Sequence, residues 1–283
     1  MRKVNLKSVY HQFMTKSDDI YNFLNEFDDT NKPQSELIDS VYFYISMIRK
    51  ETSKTDGKSK IYFTLSKSNT KEQIKIDNVE TQKRREIEKG ENEGLGTDAH
   101  FLLINNILIQ RKTRGVATID NLISYLANKI DVKKKDINID LILEKDVLSK
   151  FNDVAIFEKF QFKIAVPQQI GIFANDVDDE LAKKKLADKF NAESLNFEVR
   201  GKQLNKGTIK QFINIFQNHT SSAVFKSLSV TGEGEFLDFV KGKLFWEEII
   251  ELGKNEELTE EKIYPFLKEA YDVRKEYLDA YQT

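Results

Sequence analysis

The chain has 283 residues, of which 40% are hydrophobic and 32% charged, and its formal net charge is −2. This length and composition indicate a globular protein with one large domain or two smaller ones. The lack of cysteine excludes disulfides, thiolate catalysis and cysteine-based zinc sites. No apolar run approaches the roughly 20 residues of a membrane helix. The N-terminal segment has charge but no apolar stretch of a signal peptide, so we expect a cytoplasmic protein.

In chain order, the first half alternates between β-rich runs and apolar residues at helical spacing. Segment 78–98 is highly charged and has three glycines near its end, which predicts a partly helical connector or a mobile loop. The predicted strands are 3–13, 41–48, 60–65, 73–76, 101–104, 107–109 and 136–143, and the predicted helices are 18–29 and 119–130, with a single turn at 147–151.

Segment 100–130 has the most specific local pattern of the chain. Two strands are joined by Asn105-Asn106, which can take the left-handed backbone that a tight hairpin needs. Thr118 is the expected N-cap of the helix that follows, and the basic loop RKTRG (111–115) lies between the hairpin and this helix.

The second half predicts a small α/β module followed by a hairpin and a closing helix. Residues 154–219 have the order strand, helix, strand, helix, over 154–166, 176–190, 195–200 and 207–219. Strands 223–230 and 236–245 form a predicted hairpin around the turn 231–234. The terminal helix covers 258–281, where Pro265 shifts the expected start to about Lys262.

No motif identifies an enzyme. His11, His100 and His219 are far apart, and none has a metal-ligand spacing such as HExxH. The glycine-containing stretch 90–96 has no Lys-Ser/Thr after it, so it matches no phosphate-loop pattern. The chain is therefore predicted to have no catalytic residue, no cofactor and no metal.

One set of residues keeps a nuclease hypothesis open. Asp140, Glu144 and Lys145 lie near the end of a predicted strand, where carboxylates can bind magnesium beside a lysine. A metal-dependent nuclease is therefore retained as an alternative.

Positive charge is unevenly distributed. Residues 49–89 include 12 basic and 7 acidic residues, whereas 221–283 include 8 and 14. This split permits a polyanion-binding face, although a solvated lysine-rich and glutamate-rich surface accounts for the same charges. Lys241 and Lys243 are predicted to project from one side of a strand, with Lys226 on the partner strand. The candidate DNA-binding residues are Arg111, Lys112, Arg114, Lys183, Lys184, Lys185, Lys202, Lys206, Lys210, Lys226, Lys241 and Lys243.

Several segments follow one another in a distinctive order. They are VYFYISMI and KIYFTL, the pair FLLI and ILIQRK with the helix TIDNLISYLANK, then FEKFQFKIAVP, ESLNFEVRGKQLNKGTIKQFINIF and SLSVTGEGEFLDF. In this order the chain resembles the RexA family of prophage-encoded exclusion proteins, with the KwaB-like defence proteins as a second resemblance. One departure is that Lys226 is followed by Ser227, Leu228, Ser229 and Val230, where RexA-like proteins can carry basic residues.

The resemblance implies a fold as well as a function. We expect an α+β protein with a globular body of mixed or antiparallel sheet and helices, formed by 1–149 and 221–283. An inserted smaller α/β module, 150–220, is expected to swing relative to this body. The resemblance also implies a homodimer that binds DNA with little sequence preference and acts with a membrane-pore partner.

We therefore expect a non-catalytic, sequence-nonspecific DNA-binding component of a phage exclusion or antiviral defence system. The expected partners are double-stranded DNA, a second copy of the chain, a membrane protein encoded nearby, and a phage protein or DNA complex as trigger. The alternatives are a protein-interaction sensor or inhibitor that uses the acidic C-terminal region, and the metal-dependent nuclease.

Overall fold

The computed structural model describes residues 1–27, 34–52, 59–71, 75–78, 83–88, 90, 93–165, 194–218 and 225–281. The chain is an α+β protein, as predicted, and it divides into two compact units. We call Met1–Asn138 with Phe245–Thr283 the body, and Ile139–Leu244 the inserted unit. The predicted insertion covered 150–220; the observed unit extends further because the late hairpin pairs with the long strand that starts at Phe157.

The body contains most of the strands. Its strands are β1 (Arg2–Phe13), β2 (Glu36–Ile38), β3 (Val41–Thr52), β4 (Ser59–Asn69), β5 (Lys75–Asn78), β6 (Lys83–Glu86), β7 (Leu95–Ile104), β8 (Ile107–Arg111) and β14 (Phe245–Leu252), and its helices are α1 (Ser17–Glu26), α2 (Ile119–Lys129) and α5 (Glu260–Asp279). The inserted unit holds β9 (Ile139–Leu141), α3 (Lys145–Asp153), β10 (Phe157–Ala165), β11 (Ser194–Leu204), α4 (Lys206–Gln217), β12 (Phe225–Gly232) and β13 (Glu235–Asp238).

The main sheet of the body runs in the order β14-β1-β8-β7-β4-β3-β2, with every neighbouring pair antiparallel. Its central strands are apolar on both faces, which explains the unbroken apolar runs of the sequence. Phe63 of β4 stacks on Phe101 of β7 with ring centroids 5.0 Å apart. Helix α5 covers one face, where the Tyr10 hydroxyl donates to the Ala270 carbonyl at 2.7 Å.

The structure confirms the predicted hairpin at Asn105-Asn106 and the predicted helix that follows it. Asn105 adopts a φ of 52°, the left-handed conformation that the tight turn between β7 and β8 requires. The Thr118 hydroxyl accepts the backbone N–H of Asn121, and the Asn121 side chain accepts the backbone N–H of Thr118. This reciprocal capping box begins α2.

One expectation about the body was wrong. The described part of 78–98 includes β6 and the start of β7, because pairing with β5 and β4 compensates for its high charge. The predicted closing helix is confirmed: α5 begins at Glu260, two residues before the start expected from Pro265, and continues through that proline. The helix persists because Ile263 and Phe266 are buried, although Pro265 offers no N–H to the turn before it.

The predicted extent of the second hairpin strand, 236–245, was also wrong. Strand β13 ends at Asp238, whose Oδ1 accepts the backbone N–H groups of Val240 and Lys241 at 3.0 and 3.1 Å. This local turn ends the strand. The chain from Phe245 then pairs with β1 in the body.

The sheet of the inserted unit has the antiparallel order β11-β10-β12-β13. Phe160 and Phe162 of β10 contact Phe212 of α4, with ring centroids 5.2 and 5.1 Å apart. Phe151 of α3 stacks on Phe157 at 5.1 Å. Helix α4 therefore packs on the side of β10 that carries Phe160 and Phe162, while Phe151 of α3 also meets the Phe239 ring at 5.9 Å. The predicted helix 176–190 lies outside the described residues.

None of the helices in the described ranges combines the length and apolar character needed to cross a membrane.

Candidate nucleic-acid interface

The inserted sheet has a polar side, which we call the outer face. Side chains alternate along a strand, so Lys159, Gln161 and Lys163 point away from the side on which Phe160 and Phe162 meet α4. Residues directly opposite one another on paired strands share a face. The strand register therefore defines three rows on the outer face: Arg200, Lys159, Thr231 and Phe236; Glu198, Gln161, Ser229 and Asp238; and Asn196, Lys163 and Ser227.

Glu198 organises the cations at the centre of the outer face. Its carboxylate accepts from Arg200 Nε at 2.5 Å and Gln161 Nε2 at 2.5 Å, and it lies 3.2 Å from Lys159 Nζ. The hydrogen bonds from Arg200 and Lys159 lower the pKa of Glu198, so its carboxylate is ionised at neutral pH. Both cations are thereby held along the sheet surface, where an incoming anion would compete with Glu198 for them.

Only some of the predicted DNA-binding residues of the inserted unit lie near the outer face. Lys241 borders it, because its Nζ is 3.6 Å from the Asp238 carboxylate. Lys202 is exposed on β11, beyond Arg200. Lys210 is exposed on α4, the helix that packs on the other side of the sheet, and Lys226 is exposed near the start of β12.

Lys206 and Lys243 have structural contacts instead. Lys206 Nζ donates to the carbonyls of Asn152 and Val154, each at 2.7 Å, and so caps the end of α3. Lys243 Nζ lies 5.2 Å from the centroid of the Phe216 ring. The prediction that Lys241 and Lys243 share one side of a strand was wrong, because both follow the end of β13.

The remaining candidates lie in the body or outside the described residues. Arg111 is half-buried at the end of β8, and burial lowers the pKa of its guanidinium. Lys112 and Arg114 are exposed in the loop that follows. Lys183, Lys184 and Lys185 lie outside the described residues. The predicted residues are thus divided between the body and the inserted unit.

Sequence reasoning missed three cations of the outer face. Lys159, Lys163 and Arg200 are not among the predicted DNA-binding residues, and none of them has a basic residue as its direct neighbour in the chain. The signal was alternation: in FEKFQFK, polar residues at 159, 161 and 163 interleave with aromatic residues at 160 and 162. A two-residue period of this kind predicts a strand with one polar face.

A second surface feature is an acidic groove in the body, between β14 and the first half of α5. Its volume is about 330 Å³. Burial raises the pKa of Glu248, and the neighbouring Glu269 raises it further. The groove is lined by Glu248, Ile250, Glu251, Glu261, Lys262, Pro265, Phe266 and Glu269.

The residues proposed for a nuclease site lie at the start of the inserted unit. Asp140 lies in β9, where burial raises the pKa of its carboxyl, and Glu144 and Lys145 begin α3. Within the described ranges, no group of three or more His, Cys, Asp or Glu side chains is arranged to hold a metal ion.

No protein-family model matches this chain, and no curated protein matches it.

Two of the three histidines are buried in strands of the body. His11 is buried in β1, and His219 lies outside the described residues. His100 is buried in β7, with its Nε2 3.7 Å from Glu260 Oε1 and its ring edge-on to Tyr264. Burial and Arg111 lower the pKa of His100, against the opposing effects of Glu260 and Asp98.

We predict that His100 makes the body less stable in acid. Its pKa is lowered by folding, so below about pH 6.5 the unfolded chain binds a proton that folded His100 does not, and unfolding is favoured. Urea unfolding at about pH 7.5 and about pH 5.5 should show a smaller loss of stability for His100→Gln than for the parent protein. Equal losses in the two proteins would contradict this assignment.

Proposed function

We propose that the protein binds DNA with little sequence preference and without catalysis, through the outer face of the inserted unit. The observation that carries this proposal is the two-sided character of the inserted sheet. One side carries Phe160 and Phe162 beneath α4, and the other presents Arg200, Lys159 and Lys163 among hydroxyl and amide groups.

The chemistry of the outer face suits phosphates better than base edges. Four strands spaced about 4.8 Å apart present a surface roughly 14 Å wide. Lysine and arginine contact phosphate oxygens irrespective of sequence, and serine, threonine and asparagine side chains add hydrogen bonds to the same backbone. This combination supports binding that is weakly selective and strongly dependent on salt.

The acids of the outer face moderate its positive charge. Glu198 engages Arg200 and Lys159, while Asp238 accepts backbone N–H groups and lies near Lys241. A bound phosphate would therefore replace Glu198 as the partner of two cations. We expect moderate affinity from a single copy of the chain, and a second copy would add a second outer face.

The biological setting that we propose follows from the resemblance to the RexA family. In this setting the protein is a cytoplasmic, prophage-encoded sensor that acts as a homodimer in phage exclusion or antiviral defence. Its partners would be double-stranded DNA, a membrane protein encoded nearby, and a phage protein or DNA complex that acts as the trigger. The KwaB-like defence proteins provide the same kind of setting.

The acidic groove favours a second candidate function, which is the binding of a basic segment of another protein. Its lining combines the apolar residues Ile250, Pro265 and Phe266 with four glutamates and one lysine. Strand β14 is at one end of the strand order of the main sheet. A peptide with alternating basic and apolar residues would match both the acidic and the apolar residues that line this groove.

We predict that Lys159→Gln/Lys163→Gln weakens binding to a short duplex of mixed sequence. The loss of two phosphate contacts should lower affinity roughly 30-fold at low salt and reduce the slope of log K against log salt by about 2. Fluorescence anisotropy between about 50 and 200 mM salt would measure both quantities. The control Lys3→Gln/Lys254→Gln removes the same charge from the body and should bind like the parent. Absence of parent binding at low salt would refute the proposed function.

We predict that Glu198→Gln strengthens DNA binding. This substitution removes the anion that holds Arg200 and Lys159, so affinity should rise roughly two- to fivefold at low salt and the gain should shrink as salt increases. Glu235→Gln is the matched control, because Glu235 precedes Phe236 on β13 and points to the opposite side of the strand. An equal gain in both variants would indicate a general charge effect.

For the second candidate function, we predict that a short peptide of alternating lysine and leucine binds the acidic groove. Glu248→Gln/Glu269→Gln should weaken this binding roughly fivefold by removing two carboxylates of the groove. Anisotropy of a labelled peptide would measure the change, with Glu247→Gln/Glu276→Gln as a charge-matched control. Similar binding to both double variants would argue against the groove as the peptide site.

A further inference from the structure

We infer that the outer face binds an unpaired nucleic-acid strand more tightly than a duplex, with Phe236 as the surface on which a base stacks. This inference rests on the proposed function and adds the form of nucleic acid that the same face prefers. It is argued from the position of one exposed aromatic ring within a row of cationic and hydroxyl side chains.

The position of Phe236 is defined by its neighbours on β13. Leu237 is 5% exposed and Phe236 is 60% exposed, as expected for adjacent residues on opposite sides of one strand. Phe236 pairs with Thr231, which pairs with Lys159, which in turn pairs with Arg200. The ring therefore lies at one end of a row whose other end carries two positive charges.

The two acids just before Phe236 in the chain are directed away from its ring. Glu233 Oε2 lies 3.3 Å from the Ala155 backbone nitrogen and accepts its N–H, and Glu235 points to the opposite side of β13. Between Phe236 and Lys159 stands Thr231, an uncharged residue. The row thus offers a cationic end for phosphate, a polar middle and an aromatic end.

This arrangement distinguishes an unpaired strand from a duplex. In a duplex the base faces are stacked on one another, so an aromatic ring outside the helix has no base face to contact. In a single strand, successive bases can leave the stack and lie on aromatic side chains while lysine and arginine follow the phosphates. Phe236 therefore contributes to the binding of single strands, whereas Lys159 and Arg200 contribute to both forms.

The decisive variant is Phe236→Ala, tested against a labelled thymidine oligonucleotide, a uridine oligonucleotide of equal length and a duplex of equal length. The parent should bind the single strands more tightly than the duplex. Phe236→Ala should weaken single-strand binding roughly 5- to 100-fold and leave duplex binding unchanged, because stacking is the interaction removed. Comparing the affinities for the thymidine and uridine oligonucleotides shows whether the outer face prefers DNA or RNA.

Two further variants control this experiment. Val199→Ala removes an apolar side chain that is 49% exposed in the same unit but pairs with Phe160, on the helix side of the sheet, and it should bind like the parent. Phe236→Trp in a Trp246→Phe background leaves one tryptophan as reporter, and base stacking should quench its fluorescence. Retention of single-strand binding by Phe236→Trp would show that the aromatic ring is the required feature.

The outcomes separate this inference from the proposed function. Duplex binding with no preference for single strands, or with no effect of Phe236→Ala, would overturn the inference and leave the proposed function standing. Loss of oligomeric state in Phe236→Ala with unchanged oligonucleotide binding would also overturn it, in favour of a protein contact. If the parent protein binds neither single strands nor duplex at low salt, both the inference and the proposed function are refuted.

Discussion

The contact of Phe160 and Phe162 of β10 with helix α4 determines the character of the inserted unit. Phe160 and Phe162 can meet Phe212 only if they lie on one side of the strand. Since side chains alternate, the residues between and beside them must lie on the other side. Burial of the aromatic rings removes their surface from water and supplies the driving force for this orientation. The polar outer face is a consequence of that burial.

In the proposed function, the cations of the outer face attract phosphate, while Glu198 holds two of them in place. Glu198 binds both Arg200 and Lys159, so these cations are positioned before any ligand arrives. The same carboxylate competes with phosphate, which favours reversible and salt-sensitive association. The proposed DNA binding would therefore be sequence-tolerant, with a modest affinity per copy of the chain. In the body, by contrast, Arg111 is half-buried near His100, where its charge affects the stability of the fold.

Local sequence patterns predicted those elements whose determinants are close together in the chain. The Asn105 turn and the Thr118 cap depend on a few neighbouring residues, and both are present in the structure. The end of the late hairpin was wrong because one side chain, Asp238, closes a turn within an apolar run. The strand from Phe245 was missed because its partner, β1, lies more than 230 residues away in the chain. Such pairing has no local signal.

The sequence by itself determined the α+β class, most of the helices and strands, and the alternation of β10, because all of these follow from local spacing of apolar residues. The tertiary structure alone decided which cations share a surface. In the sequence, Lys206 and Lys243 cannot be told from the other predicted DNA-binding lysines. In the structure, Lys206 donates to two backbone carbonyls and Lys243 lies over an aromatic ring. Lys159, Lys163 and Arg200 meet only when β10 and β11 pair in register. The physical reason is that charge is a property of each residue, whereas a binding face is a property of strands that are distant in the chain.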